Sequence, residues 1–379
     1  MSKKVLSLLL VAVLAISLFA GCAKAPEQQE PKAPEKEEAK APEKEEAKEP
    51  EKEAADDFKV GFVTDTGGID DRSFNQGTWE GIVRYAGEKG WTEGTEYNFI
   101  QSNEEADYIP NLSAFGDDSY NVVVAAGFLF KDAMTEVSGQ YADTNFVLID
   151  EEVTNPNVAS VKFAEEQGSF LIGVAAAKTT KSKKVGFVGG MDFPLIRHFH
   201  AGFVAGVHSV DPTIEVVDQY AGDFGNPGVG QQIASTMYEQ GADVIYHAAG
   251  GTGNGVINEA KNRVENGEDV WVIGVDKDQY ADGIYDKDNN KSVVLTSMMK
   301  RVDVAAYNMV EAAQKGEFPG GKVTSLTLAD NGVGIPAENP NLSEDIIKAI
   351  AEYKEKIVKG EIKVPNNMDD LKTFEESLK

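Results

Sequence analysis

Residues 59–65 read KVGFVTD and residues 183–190 read KKVGFVGG, so the pentapeptide KVGFV occurs twice, 125 residues apart. At the same offset Phe74 matches Phe199, Gly77 matches Gly202 and Gly81 matches Gly206. Ala125-Ala126-Gly127 matches Ala248-Ala249-Gly250 at an offset of 123, and Asp150 matches Asp276 at 126. Matches that keep their order at nearly constant spacing mark an internal repeat. The repeated pentapeptide is a short Val-rich run of the kind that forms a strand buried on both faces. Similar runs recur as NVVVAAG (121–127), NFVLID (145–150), ADVIYHAAG (242–250) and DVWVIGVD (269–276), each followed by an amphipathic stretch. After the first run Trp79, Ile82, Val83 and Ala86 fall at i, i+3, i+4 and i+7, the stripe of a helix packed on a sheet. Strands alternating with helices mean βαβ units and parallel sheets. The expected fold is α/β, with two similar doubly wound lobes.

In open parallel sheets, ligands sit outside the carboxyl ends of the strands. If the two lobes face each other through those ends, the repeated positions converge on one cleft. Asp65, Gly127 and Asp150 then line one wall, and Gly250 and Asp276 the other. The loop TDTGGIDDRSFN (64–75) opens the first wall and admits three readings: a catalytic carboxylate pair, a metal loop, or the rim of a pocket that grips a polar ligand. Gly67 and Gly68 allow a tight turn. Ser73 and Gln76 have the spacing of a capping box, which predicts a helix from Phe74. Asp70 and Asp71 lie just ahead of that helix, where acids favour its dipole, so Asp65 is left as the ligand carboxylate.

Metal chemistry fits the chain poorly. No histidine or cysteine lies near the loop. Asp286-Lys-Asp288-Asn-Asn290 begins like a calcium loop, but Lys291 replaces the glycine and Ser297 the bidentate glutamate, which leaves a solvated turn. His198 and His200 point to different helix faces and read as core or surface residues. The run Gly250-Gly-Thr-Gly-Asn-Gly255 lacks both the dinucleotide spacing and the P-loop lysine, and is expected to be a cleft wall whose backbone N–H groups meet a ligand hydroxyl. There is no nucleophile elbow and no H-E-x-x-H. The sequence reads as a binding protein, with no catalytic residue, cofactor or metal expected.

The amino-terminal region sets the expected compartment. Lys3 and Lys4 precede an apolar run, Val5 to Ala20, too short for a permanent span. It ends in Leu18-Phe19-Ala20-Gly21-Cys22, and Cys22 is the one cysteine of the chain. This resembles a bacterial lipobox, which implies a signal peptide over 1–21 and diacylation of the Cys22 sulfur. Replacing Cys22 with alanine should release the protein from membranes; continued attachment in a fractionation experiment would refute this. Residues 22–57 follow as the lipidated cysteine and a charged tether that carries the octapeptide KAPEKEEA at 32–39 and again at 40–47. Such a segment has too little apolar surface to offset its ordering entropy. The chain carries −27 overall; residues 23–57 contribute −6 and Lys3 and Lys4 +2, which leaves −23 on residues 58–379. An acidic domain excludes nucleic acid as a ligand of its surface, because like charges repel.

VGFVTDTGGIDDRSFNQGTWEG (60–81), the GG…F-x-x-GF-x-AG pattern over 189–206 and AAGGTGNGV (248–256) resemble the basic membrane protein family of substrate-binding lipoproteins, typified by the purine nucleoside receptor of ABC importers. The resemblance spans 58–379. It implies a type I periplasmic-binding-protein-like fold, with a first lobe of 58–163 plus 298–328 and a second of 164–297 plus 329–379, joined by a hinge. The crossings are expected near 161–164, 295–298 and 328–333. It also implies that Asp65 contacts a base edge, Phe74 and Phe224 stack on the base, and Gly250, Asp276 and Lys300 hold the ribose. Asn75, Phe128 and Asp150 are added for their position near the cleft, and symmetry alone nominates Phe199 instead of Phe224. The implied partners are a nucleoside such as adenosine, guanosine or inosine, an ABC permease with its ATPase, and the membrane through the lipid anchor. The implied location is the extracytoplasmic face of the cell membrane. The alternatives are a receptor for a sugar or other small polar ligand, or a ligand-binding surface sensor or adhesin.

Overall fold

The computed structural model describes residues 57–378. The expected signal peptide, Cys22 and all of the charged tether except Asp57 lie outside the described residues.

The first lobe runs β1 (Val60–Val63), α1 (Phe74–Lys89), β2 (Tyr97–Ile100), α2 (Tyr108–Asp117), β3 (Val122–Ala126), α3 (Lys131–Gln140), β4 (Asn145–Ile149) and β5 (Val158–Phe163), and α4 (Glu165–Thr179) follows. The plan then repeats as β6 (Lys184–Gly189), α5 (Pro194–Val210), β7 (Glu215–Tyr220), α6 (Pro227–Glu239), β8 (Val244–Ala248), α7 (Gly250–Glu265) and β9 (Trp271–Asp276). A small hairpin, β10 (Ile284–Asp286) and β11 (Lys291–Ser292), precedes β12 (Val294–Lys300). The chain ends with α8 (Val302–Gln314), β13 (Val323–Leu326), β14 (Val333–Gly334), α9 (Glu344–Val358) and α10 (Met368–Ser377).

Two six-stranded sheets result, ordered β13-β5-β4-β3-β1-β2 and β14-β12-β9-β8-β6-β7. All neighbours are parallel except β14, which runs antiparallel to β12. Burial follows from strand alternation. Phe62, Val122 and Val124 pack with Ile82 and Tyr85 of α1, while Val63, Val123 and Ala125 pack with Phe115 of α2 and Met134 of α3. Both faces are covered, so the strands are continuously apolar rather than alternating.

The helices after β5 and β12 change lobes. Helix α4 follows the first sheet but packs on α5, and α8 follows the second but packs on α1. The repeated glycines permit both contacts. A Cβ at Gly81 would lie 2.1 Å from the Asp303 carbonyl oxygen, and one at Gly206 would lie 2.1 Å from that of Phe170. One crossing differs from the sequence expectation of 295–298. Strand β12 stays paired with β9 through Met299, so the chain leaves the second sheet between Lys300 and Val302. Residues 298–300 therefore belong to the second sheet, because β12 keeps its ladder pairing with β9 through Met299 and with β14 at Lys300. Helices α9 and α10 pack on α4 and α5.

Candidate ligand-binding cleft

The carboxyl ends of both sheets meet at one cavity. It is lined by Asp65, Phe74, Gly127, Phe128 and Asp150 from the first lobe, and by Leu195, Ile196, Phe199, Phe224, Gly250, Asp276 and Lys300, among others, from the second. Eight of the nine residues expected at the site line it; Asn75 does not. A larger groove of about 780 Å³, lined by Gln167, Ile357 and Phe374 among others, lies elsewhere, and no strand-end residue lines it.

Asn75 is instead the brace of the first wall. Its side-chain Nδ2 donates to Asp65 Oδ1 at 2.7 Å and to Asp71 Oδ2 at 3.0 Å, and its Oδ1 accepts from the Asp65 backbone N–H at 3.1 Å. The expected capping box is replaced by Asp71, whose carboxylate accepts from the backbone N–H groups of Ser73, Asn75 and Gln76 at 2.8–3.1 Å. An aspartate two residues earlier can reach all three free N–H groups of the first turn. Ser73 is thereby released, and its hydroxyl crosses the cleft to donate to Asp276 Oδ2 at 2.6 Å. Asp70 is exposed. Asp65 Oδ1 also accepts from the Gly67 N–H at 2.8 Å. Burial raises the Asp65 pKa above its ordinary value even though these donors oppose the shift.

Asp150 and Asp276 end equivalent strands, and both hold left-handed backbone, with φ of 76° and 64°. Aspartate tolerates that region better than most residues, yet such strain persists only where the surroundings impose it, commonly at functional sites. Each carboxylate is gripped from across the cleft: Asp276 by Ser73, and Asp150 Oδ2 by Lys300. Asp150 Oδ1 has no hydrogen-bond partner among the described residues. The Lys300 ammonium is buried and lies 4.9, 5.3 and 5.4 Å from the ring centroids of Phe74, Phe163 and Phe199. Burial alone would discharge it, but Asp150, Glu165 and Asp276 together outweigh burial and keep it protonated. Among the described lining residues it is the one cation facing three carboxylates. Burial correspondingly raises Asp150 and Asp276, with Lys300 opposing in each case.

Two further aromatic rings, Phe128 and Phe224, complete the walls. Gly127, at φ 123°, turns the chain out of β3 so that Phe128 enters the cavity, where it stacks on Phe193 of the other lobe at 4.2 Å and 14°. The edge of Phe224 meets Phe128 at 6.1 Å. The Phe224 ring lies over Gly190, where a Cβ would come within 2.2 Å of it. The glycine run after β8 does not present all its N–H groups to the cavity. The Thr252 N–H donates to the Phe224 carbonyl at 2.8 Å, so the run anchors the Phe224 loop. More bonds close the mouth between lobes: Asn254 Nδ2 to the Asp71 carbonyl at 3.0 Å, Gln279 Nε2 to the Arg72 carbonyl at 3.1 Å, and Arg72 to Asp282 at 3.3 Å. The lobes are shut on a small cavity of about 50 Å³.

A family model described as ABC transporter substrate-binding protein PnrA-like matches residues 58–368. The chain belongs to this family. Relatives of this PnrA-like chain include a CD4+ T-cell-stimulating antigen of Listeria monocytogenes, 46% identical over 82% of this chain and 88% of that protein. The ABC transporter nucleoside-binding protein BmpA of Lactococcus lactis is 40% identical over 82% of this chain and 90% of its own length. Basic membrane protein D of Borreliella burgdorferi is 32% identical over 79% and 85%. Among solved structures, an ABC transporter solute-binding protein of Aeropyrum pernix is similar at a TM-score of 0.73 and 28% identity, covering 85% of this chain and 97% of that one. These matches agree with the expected family and with its two-lobed, parallel-sheet fold.

In this PnrA-like site, sequence reasoning missed Leu195 and Ile196, whose apolar pattern on α5 is indistinguishable from core. Phe199, which internal symmetry nominates, lines the cavity together with Phe224. His198, read as an ordinary core or surface residue, puts Nδ1 3.5 Å from Glu165 Oε2 and comes within 4.8 Å of both Glu165 and Glu166. Lys300 Nζ, 3.3 Å from Glu165 Oε1, already supplies a cation there.

Proposed function

We propose that this ABC substrate-binding protein is a lipid-anchored extracytoplasmic receptor that closes on a nucleoside, purine in the first instance, and delivers it to an ABC permease. The observation that carries the reading is the pairing of rings with carboxylates in one closed cavity: Phe74 and Phe224 from opposite lobes, with Asp65, Asp150 and Asp276. A flat base gains roughly 1–3 kcal/mol from stacking on an aromatic side chain. A ribose diol donates to a carboxylate in charge-assisted hydrogen bonds, which are stronger than neutral ones, and the unpartnered Asp150 oxygen suits that role. Asp65 suits the polar edge of the base. A phosphate would meet three carboxylates and one lysine that is already paired, so nucleosides should bind and their monophosphates should not. The nucleoside-binding name of the Lactococcus relative favours the same ligand class. The anchor rests on Cys22 and its lipobox-like setting.

The test is to purify the protein without added ligand, denature it and identify the released small molecule by mass spectrometry. Calorimetric titration of the ligand-free protein with adenosine, guanosine, inosine and their monophosphates then follows. A released nucleoside and selective nucleoside binding are expected. A released sugar, or a monophosphate binding as tightly as its nucleoside, overturns the reading.

A further inference from the structure

Glu165 lines no part of the cavity, yet it is fully buried, with a side chain 1% exposed. It is the first residue of α4, directly after the chain crosses from the first sheet. Lys300, its partner at 3.3 Å, is the last residue of β12, directly before the chain crosses back. Their ion pair therefore joins two of the three strands of the hinge. His198 from α5 approaches the other Glu165 oxygen at 3.5 Å, and Glu166 is the next residue on its own helix.

A lysine ammonium has three N–H donors and no acceptor. Asp150 takes one, and Glu165 Oε1 draws the ammonium as an ion-pair partner at 3.3 Å without accepting a hydrogen bond, while Phe74, Phe163 and Phe199 surround the group with surfaces that offer only π faces. Donors therefore remain for a ligand oxygen. Two carboxylates on different elements also fix the ammonium between them, so Lys300 is not drawn wholly onto Asp150. Asp150 Oδ1 then stays available for a second ligand hydroxyl.

We infer that Glu165 is a positioning residue for ligand binding: it never meets the ligand, but it divides Lys300 between two carboxylates so that both Lys300 and Asp150 can hold the ribose. The inference rests on the nucleoside reading. Removing the Glu165 charge should weaken nucleosides and spare a free purine base, which has no ribose to reach Lys300.

The experiment is calorimetry on the whole mature protein with a nucleoside and the corresponding base, for wild type, Glu165→Gln, Lys300→Met and the double variant. Glu165→Gln should raise the nucleoside Kd roughly ten-fold, the size of one charge-assisted hydrogen bond, and leave the base Kd unchanged. In the Lys300→Met background the same substitution should have no further effect. Folding is followed by thermal unfolding, and if Glu165→Gln does not fold, Glu165→Asp, which keeps the charge and shortens its reach, must show the same split. Equal losses for nucleoside and base, or additive effects in the double variant, make Glu165 merely structural and overturn the inference alone. Wild-type protein that binds no nucleoside overturns the functional reading and this inference together.

Discussion

At the carboxyl end of its first strand the first lobe carries Asp65, and the second lobe, 125 residues later, carries Gly190. The backbone plan is the same and the chemistry is not. A carboxylate projects where the first wall needs a polar contact; where the second wall has no side chain, the Phe224 ring occupies the space. At the fourth strand the lobes agree: Asp150 and Asp276 share the same strained backbone, and each is held by a group from the opposite lobe. Duplication thus supplies a symmetric frame, and substitution at one strand end makes the two walls different enough to grip a ligand with unlike faces.

The sharpest way to break this picture is at Lys300, which neutralises carboxylates from both halves. Lys300→Met leaves Asp150, Glu165 and Asp276 buried without their cation and should cost about 3–5 kcal/mol of stability, measured by urea unfolding at neutral pH. A loss below about 1 kcal/mol would mean that the cluster is solvated rather than buried.

Next in size is a pH effect. The folded-state pKa of Asp150 is raised by burial from 3.8 to about 7, with Lys300 opposing. Between those values the folded protein binds a proton that the unfolded chain has lost. The resulting stability is complete below about pH 4 and disappears as pH rises through about 7. Ligand-free protein should therefore be up to about 2–3 kcal/mol more stable near pH 5 than near pH 7.5. Asp71 and Glu166 are raised by burial to about 7 as well, so Asp150→Asn should reduce that dependence in thermal scans without abolishing it; an unchanged slope would assign it to those groups.

The asymmetric strand end gives a smaller and more specific effect. Phe224→Ala should weaken nucleoside binding by about 1–3 kcal/mol, the value of one base stack, and Phe74→Ala by a similar amount. Gly190→Ala should mimic Phe224→Ala, since the added methyl would stand 2.2 Å from the ring. Full affinity in Gly190→Ala would show that the ring is not needed where it lies. Smallest is Ser73→Ala, which removes the cross-cleft bond to Asp276 at a cost of about 1 kcal/mol. Ligand-free Ser73→Ala should have a larger radius of gyration in X-ray scattering than wild type, and an equal one would assign closure to the other interlobe contacts.

The α/β class and the strand-end positions were legible because each depends on near neighbours in the chain, and the repeat because it compares two such stretches residue by residue. Continuous apolar runs and the Trp79, Ile82, Val83, Ala86 stripe report periodicity, and Gly81 with Gly206 reports close helix contact without naming the partner. Asn75 was misplaced for a different reason. Its position in the first turn of α1 is compatible with either facing the ligand or bracing Asp65, and only the side-chain network distinguishes them. The capping box failed likewise: Ser73 had a competitor, Asp71, two residues earlier, and a better use across the cleft.

What the amino-acid sequence determined by itself was a tandem pair of parallel α/β lobes whose repeated aspartates and glycines stand at strand ends. Strand burial, turn geometry and spacing are local properties and survive reading along the chain. Tertiary structure alone decided that Asp150 meets an ammonium 150 residues away and that Glu165 lies beside it. A buried charge takes whichever partner packing brings within reach, and that choice is made between strands of different sheets, where spacing in the sequence carries no distance.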